Sequence, residues 1–162
     1  MMRIDYAKTY SQAMRAMACL QGTVNESPIE PLVGELVKIR ASQLNGCAHC
    51  LEMHTKDARA LGERDERLDL VAAWREAPMF NERERAALLW CEELTLLAET
   101  SVPDAVYEQV RAIFSEEEIV ALTLAIVAIN GWNRFAVALR AAVGGYVSPH
   151  GVASPATDSA TD

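Results

Sequence analysis

Apolar residues recur at helical spacing along most of the chain, and no segment shows the apolar–polar alternation that is typical of strands. Three of the predicted helices open with a polar cap residue that is followed three positions later by glutamate, the pattern of a capping box. These pairs are Ser27 with Glu30, Asn81 with Glu84, and Ser115 with Glu118. Glycine and proline mark most of the helix ends.

The predicted helices follow one another without an internal repeat and without a linker between two cores. They cover residues 4–20, 27–42, 46–62, 63–76, 81–99, 103–114 and 115–143. This order predicts an all-α fold, a helical bundle of about six to seven helices in one domain over residues 1–146. Residues 147–162 are small and polar, which predicts a mobile C-terminal tail.

Length and charge narrow the function classes. A chain of 162 residues can bury the core of one ordinary domain, and its net charge is -8. An acidic surface disfavours nucleic acid and anionic membranes as partners, because both attract basic proteins. The most apolar run, Ile119 to Ile129, is shorter than the roughly 20 residues that cross a bilayer, and the N-terminus lacks the apolar core of a secretory signal. We therefore expect a cytoplasmic protein with no membrane partner.

The segment NGCAHCLEMH, residues 45–54, gathers two thiols and two imidazoles. On a helix that starts near Cys47, the side chains of Cys47, Cys50 and His54 share one face, and His49 points sideways from it. In a cytoplasmic protein, a CxxC pair is more often catalytic or metal-binding than a structural disulfide. Three interpretations therefore compete: a zinc site, a structural cluster and a redox centre.

A zinc site has weak support, because the second CxxC or HxxxH pair that usually completes one is missing. A carboxylate or a neighbouring subunit would have to supply the remaining ligands. Buried cysteines often act as small apolar residues, and we expect this of Cys19 and Cys91, which lie in apolar stripes. It is a weaker account of Cys47 and Cys50, because imidazoles are costly neighbours in an apolar core.

A redox centre uses every thiol and imidazole of the segment. A thiolate is stabilised by a helix N-terminus, which favours Cys47, or by an adjacent histidine, which favours Cys50 through His54. The residues leave open which sulfur attacks. On a helix, Cβ atoms three residues apart are separated by about 5–6 Å, whereas a disulfide needs about 3.8 Å. We therefore expect a Cys47–Cys50 disulfide to distort the first turn and to be readily reduced.

The longer stretch ELVKIRASQLNGCAHCLEMH, from Glu35 to His54, resembles the core motif of one known family. It matches the alkylhydroperoxidase D (AhpD) branch of the carboxymuconolactone decarboxylase family, in which a glutamate precedes a C-x-H-C-x-x-x-H run by twelve residues. All five positions of that motif are present in register. The later stretch INGWNRFAVALR is similar to a helix of small family members, and the resemblance covers most of residues 28–143.

This resemblance implies an all-helical, homo-oligomeric protein, a trimer or hexamer, with thiol-dependent peroxidase activity. Cys50 would attack the peroxide and Cys47 would resolve the sulfenic acid to a disulfide. His54 would take the proton of Cys50, Glu35 would orient His54, and His49 would complete the hydrogen-bonded surroundings. The expected partners are a peroxide substrate and a dithiol or thioredoxin-like reductant. No metal and no organic cofactor would be required.

Other functions remain open at this point. A lactone decarboxylase or isomerase of the same family would use acid–base residues without needing the two cysteines. A redox sensor and a zinc-stabilised oligomeric module are non-catalytic alternatives. Trp132 and Asn133 stand outside the predicted catalytic set, because a tryptophan on an apolar helix usually serves packing.

Overall fold

The all-α fold class is confirmed by the computed structural model, which describes residues 1–151. This range contains nine α-helices, one 3-10 helix and no strand, and seven of the α-helices are longer than four residues. The elements are α1 Tyr6–Thr9, α2 Ser11–Asn25, α3 Pro31–Leu44, α4 Ala48–Ala60, α5 Asp65–Leu70 with the 3-10 turn Val71–Ala73, α6 Glu82–Thr95, α7 Leu97–Thr100, α8 Asp104–Arg111 and α9 Glu116–Leu139.

Two of the three predicted capping boxes form, at the starts of α6 and α9. The prediction of the third, at Ser27, was wrong. Helix α3 begins at Pro31, and its cap residue Glu30 is extended, with φ −57° and ψ 135°. A residue that precedes proline is pushed out of the helical region by the proline ring, so the helix cannot include residues 28–30. The Glu30 side chain instead forms an ion pair with Arg83 at 2.7 Å.

Helix α9 ends four residues earlier than predicted, at Leu139 rather than Val143. Arg140 adopts the left-handed conformation with φ 56°, and the amide of Ala141 bonds back to the carbonyl of Ala136 at 2.9 Å. This is the hydrogen-bond pattern of a helix C-cap. Residues 141–151, which we call the C-terminal segment, therefore leave the helix and run along α4. The predicted mobile tail falls mostly on residues 152–162, outside the described residues.

The core lies on both sides of α3, which packs against α4, α6 and α9. One large cluster includes Leu36, Ile39 and Leu88, a second includes Val37 and Leu122, and a small third contains Val24, Ala125 and Ala128. Helix α9 is long and apolar enough, by length and composition alone, to cross a membrane. Its contacts with α2, α3, α6 and α8 account for that composition, because they make it a central helix of the core.

The two cysteines outside the CxxC pair differ in burial. Cys91 is 0% exposed, as predicted. The prediction that Cys19 is buried was wrong, because Cys19 is exposed. Helix α2 lies at the outside of the fold, and Val24 is its one buried residue. An apolar stripe in the sequence does not show whether its helix packs in the core.

A short turn between α3 and α4 positions the first residue of the CxxC pair. Gly46 has φ 64°, a conformation that favours glycine, and the amide of Cys47 bonds to the carbonyl of Ser42 at 2.9 Å. The buried Asn133 holds this turn from α9: its amide group donates to the Ser42 hydroxyl at 3.1 Å, and its oxygen accepts from Asn45 at 2.9 Å. Asn133 thus has a role in fixing the turn.

Candidate active site

Cys47 and Cys50 are joined by a disulfide at the N-terminus of α4. Cys47 is the cap residue, with an extended backbone at φ −89° and ψ 92°, and its sulfur accepts the amide of Cys50 at 3.3 Å. The Cα atoms are 5.4 Å apart, within the usual range for a disulfide. Cys47 lies outside the helix as its cap residue, and α4 begins at Ala48. The ready reduction expected of this bridge stays a prediction.

The disulfide is nearly inaccessible from outside, with Cys47 1% and Cys50 3% exposed. Cys50 borders a cavity of about 610 Å³, and Cys47 does not. Helices α2, α3, α4 and α9 and the C-terminal segment form the cavity wall. Much of this wall is apolar, including Val24, Met53 and Trp132. A molecule that reaches the disulfide through this cavity therefore meets Cys50.

Glu35 and His54, predicted from the motif, are in direct contact. The Glu35 Oε2 atom lies 2.9 Å from His54 Nδ1, and Lys38 Nζ lies 2.7 Å from the other carboxylate oxygen. Burial raises the pKa of the Glu35 carboxyl, but the hydrogen bond and charge of His54, and then Lys38, outweigh burial and hold that pKa below its ordinary value of 4.5. The ionised carboxylate favours the proton on Nδ1, which leaves Nε2 free to accept another.

His49 also borders this site, but its Nδ1 atom does not contact Cys47 or Cys50. That atom is 2.6 Å from the carbonyl oxygen of Ala142, and the ring borders the cavity. The imidazole is half-buried. His49 therefore links α4 to the C-terminal segment beside the disulfide.

Sequence reasoning missed two residues of the site, Asp57 on α4 and Tyr146 in the C-terminal segment. The Tyr146 hydroxyl donates to the buried Asp57 carboxylate and lies 2.9 Å from each of its oxygens. Burial, followed by the hydrogen bond and charge of Asp57 and by the charge of Glu35, raises the pKa of Tyr146 to about 12. Asp57 follows His54 by three positions, so helical spacing could have indicated it. Tyr146 is 89 residues from Asp57 in sequence and carries no such signal.

Two further bonds attach this segment to one face of α4. Besides the bond of His49 to the segment, Glu52 Oε2 accepts the amide of Gly144 at 2.6 Å, and Lys56 Nζ donates to the carbonyl of Tyr146 at 2.8 Å. With the Tyr146–Asp57 bond, these contacts follow the i, i+3, i+7 and i+8 positions of one helix face. The segment is therefore a fixed part of the cavity wall.

Within residues 1–151, one group of side chains is compact enough for a metal ion: oxygen or nitrogen atoms of Glu35, His54 and Asp57 lie within 4.8 Å of one another. Neither cysteine belongs to this group. The acceptors already have partners, because Lys38 contacts Glu35 and the Tyr146 hydroxyl contacts both oxygens of Asp57. The ammonium group of Lys38 also opposes a second cation there. The described arrangement is therefore a hydrogen-bonded cluster of charged and polar side chains, most of whose acceptor atoms already have partners.

Comparison with known proteins places this site in a family. The family model of the carboxymuconolactone decarboxylase family matches residues 11–93, which include the motif from Glu35 to His54. The uncharacterized protein YdfG of Bacillus subtilis is 40% identical over 137 residues, 85% of this chain and 93% of its own length. The uncharacterized protein YnjA of Escherichia coli is 34% identical over 110 residues, 67% of this chain and 59% of its own length.

A solved structure supports the same assignment. A protein of unknown function from Agrobacterium tumefaciens, provisionally described as the antioxidant defence protein AhpD, superposes with a TM-score of 0.87 and 44% identity. The match covers 90% of this chain and 100% of that protein. The chain belongs to the carboxymuconolactone decarboxylase family and is an AhpD-like member of it.

Proposed function

We propose that this protein is a thiol-dependent peroxidase of the alkylhydroperoxidase type, which reduces organic or hydrogen peroxide by cycling Cys47 and Cys50 between dithiol and disulfide. Membership of an AhpD-like family supports catalysis of this general kind. The observation that carries the proposal is the position of Cys50. It borders the cavity one helical turn before His54, whose ring is held by the buried Glu35.

The geometry supports the following sequence of steps. In the reduced protein, Nε2 of His54 takes the proton of the Cys50 thiol. The thiolate attacks one peroxide oxygen, the O–O bond breaks, and the departing alkoxide or hydroxide takes the proton from His54. Cys50 is now a sulfenic acid. The Cys47 thiol attacks the Cys50 sulfur and releases water, which closes the disulfide and protects Cys50 from irreversible oxidation.

The cavity supports the roles of the two sulfurs and the choice of substrate. Since Cys50 borders the cavity and Cys47 does not, a peroxide in the cavity meets Cys50 first. A volume of about 610 Å³ with apolar walls is far larger than hydrogen peroxide requires and suits an organic hydroperoxide. The reductant, a dithiol either free or carried by a thioredoxin-like protein, has to reach the buried disulfide to restore the thiols.

The test is a steady-state assay of tert-butyl hydroperoxide and hydrogen peroxide reduction, driven by dihydrolipoamide. We expect turnover by the unchanged protein and its loss, by at least about 1000-fold, in Cys50→Ser and in Cys47→Ser. Cys91→Ser is the matched control and should keep turnover within about threefold, because Cys91 is buried and is not among the residues that line the cavity.

Four results would count against the proposal. Turnover that survives both substitutions would show that peroxide reduction does not pass through this pair of thiols. No turnover with any dithiol, in a folded protein, would favour an acid–base enzyme of the same family. A single oxidation without turnover, in a folded protein with titratable thiols, would favour a redox sensor. Stoichiometric zinc that holds the oligomer together and is lost with Cys47→Ser would favour a structural module.

A further inference from the structure

His54 lies close to two carboxylates, and only one of them is its hydrogen-bond partner. Glu35 contacts His54 Nδ1 at 2.9 Å. The carboxylate of Asp57 is within 4.8 Å of the same histidine and is equally buried, at 7% exposure against 5% for Glu35. Both oxygens of Asp57 are instead occupied by the hydroxyl of Tyr146, at 2.9 Å each. Glu35 is therefore bonded to His54, whereas the neighbouring Asp57 is bonded to Tyr146.

The bonding of Asp57 to Tyr146 matters because few positive charges lie near His54 and Asp57. Besides Asp57, the ionisable groups that border the cavity with His54 are Glu35 and Lys38 from α3, His49 and Cys50 from α4, and Tyr146 and His150 from the C-terminal segment. Tyr6 and Glu30 border it as well, whereas α2 and α9 contribute no ionisable group to the wall. Lys38 is already paired with Glu35 at 2.7 Å. Of the three histidines on the cavity wall, His54 is the one that belongs with Asp57 to a group whose ligand atoms all lie within 4.8 Å of one another, so a protonated His54 is the cation nearest to hand for this second buried carboxylate.

We propose that Tyr146 is a positioning residue, which holds the Asp57 carboxylate through an uncharged hydroxyl donor and so keeps His54 able to accept the proton of Cys50 at neutral pH. The inference rests on the proposed function for its catalytic consequence. The hydroxyl suits this role because it stays protonated through the physiological range, its pKa being raised to about 12.

Removal of the Tyr146 hydroxyl leaves the Asp57 carboxylate without its hydrogen-bond donor. A buried carboxylate that loses its donor is poorly solvated and favours a charged partner. Protonated His54 would become that partner, held between Asp57 and Glu35. An imidazolium cannot take a proton from Cys50, so the thiolate would form only at higher pH. The effect on the reaction therefore passes through His54, since Tyr146 need not touch the substrate.

The first measurement is an NMR titration of the ¹⁵N-labelled histidine rings in the disulfide form, which requires no turnover. The signals of the three histidines are assigned with His49→Gln and His150→Gln. We expect Tyr146→Phe to keep His54 protonated to a pH about one unit higher, which corresponds to a tenfold change in proton affinity. The double variant Tyr146→Phe with Asp57→Asn should return the titration to within about 0.3 units of the original.

The second measurement is the pH dependence of peroxide reduction. Tyr146→Phe should move the acidic limb of the rate profile to a pH about one unit higher, and so lower turnover about tenfold near that limb. The double variant should restore the original profile. A merely structural role of Tyr146 would lower activity equally at every pH. Failure of the proposed function would abolish this profile but would leave the NMR result intact, so the two are distinguishable.

Two outcomes would overturn the inference. One is a His54 titration that Tyr146→Phe leaves unchanged, and the other is a shift that persists in the double variant. Asp57→Asn alone provides an independent check that leaves Tyr146 in place. Because Tyr146 already occupies both oxygens of Asp57, we expect this single variant to titrate within about 0.3 units of the original. A large downward shift would show that Asp57 acts on His54 directly.

Discussion

The surroundings of Cys50 and those of Cys91 are two regions that meet in one buried cluster, and the two side chains are almost equally buried, at 3% and 0% exposure. Cys91 packs in the core, and its thiol donates to the carbonyl of Val37 at 3.3 Å. Burial above all raises the pKa of this thiol to about 12. Cys50 instead borders the cavity, one turn from the imidazole that Glu35 holds.

The difference shows that exposure alone does not distinguish a reactive cysteine from a structural one in this fold. What differs is the group that α3 offers to each site: Val37 offers its backbone carbonyl to the Cys91 thiol, and Glu35 offers a buried charge to His54 near Cys50. A cavity gives reagents access to one sulfur, whereas close packing excludes them from the other. Three experiments can break or sharpen this comparison.

The largest effect is expected in the alkylation of the reduced protein. At pH 7, iodoacetamide should modify Cys50 at least about 1000-fold faster than Cys91, because a thiol with a pKa of about 12 is almost never ionised at that pH. Mass spectrometry of the digested protein gives both rates, with the exposed Cys19 as an internal reference. Comparable modification of Cys91 and Cys50 in the folded protein would break the comparison.

The next effect concerns the charge on the cavity side of α3. Glu35→Gln preserves shape but removes the carboxylate that orients His54, and we expect peroxide turnover to fall about 100-fold. Glu84→Gln is the matched control: this glutamate is also buried, and glutamine preserves a capping box, so turnover should stay within about twofold. Equal losses in the two variants would show that Glu35 acts through stability.

The smallest effect is on stability at acidic pH. The pKa of Glu35 is lower in the folded protein than its ordinary value of 4.5, so its ionised form contributes stability that is fully present above that pH. This contribution is lost as pH falls below 4.5 through the folded value. Urea unfolding between pH 7 and 3 should therefore show a shallower decline for Glu35→Gln than for the original protein.

Cys91→Ser removes no carboxylate and is the control for this titration. It should lower the unfolding free energy by a similar amount at each pH, so its curve should run parallel to that of the original protein. A curve for Glu35→Gln that is also parallel would mean that the ionised Glu35 does not favour the folded state.

Local sequence signals predicted a helix start well where one local interaction, such as a capping box, fixes it. The pairs Asn81–Glu84 and Ser115–Glu118 begin helices as expected, because a capping box satisfies its own backbone groups. The Ser27 box failed since Pro31 fixes the backbone of the preceding residue. The exposure of Cys19 could not be read from its helix, because it depends on what packs against α2.

The same distinction applies to the candidate site: local spacing predicted some of its residues, and tertiary contacts decide the others. The motif residues Glu35 and His54 are in contact at the spacing that the resemblance implied. Lys38 and Asp57 lie one helical turn from these residues and were within reach of sequence reasoning. Tyr146 was not, because its bond to Asp57 depends on where α9 ends and how the C-terminal segment returns to α4. The homo-oligomeric assembly and the reductant stay predictions.

The disulfide closes a loop between residues only three apart in sequence. The conformational freedom that a bridge removes from the unfolded chain grows with the length of the loop that it closes, so a bridge this short restrains little. The reduction potential of the pair in the folded protein therefore differs from that in the unfolded chain mainly as far as the folded structure favours one redox form over the other. A mutation that changes this potential by about 30 mV must change the relative stability of the oxidised and reduced proteins by about 1.4 kcal/mol.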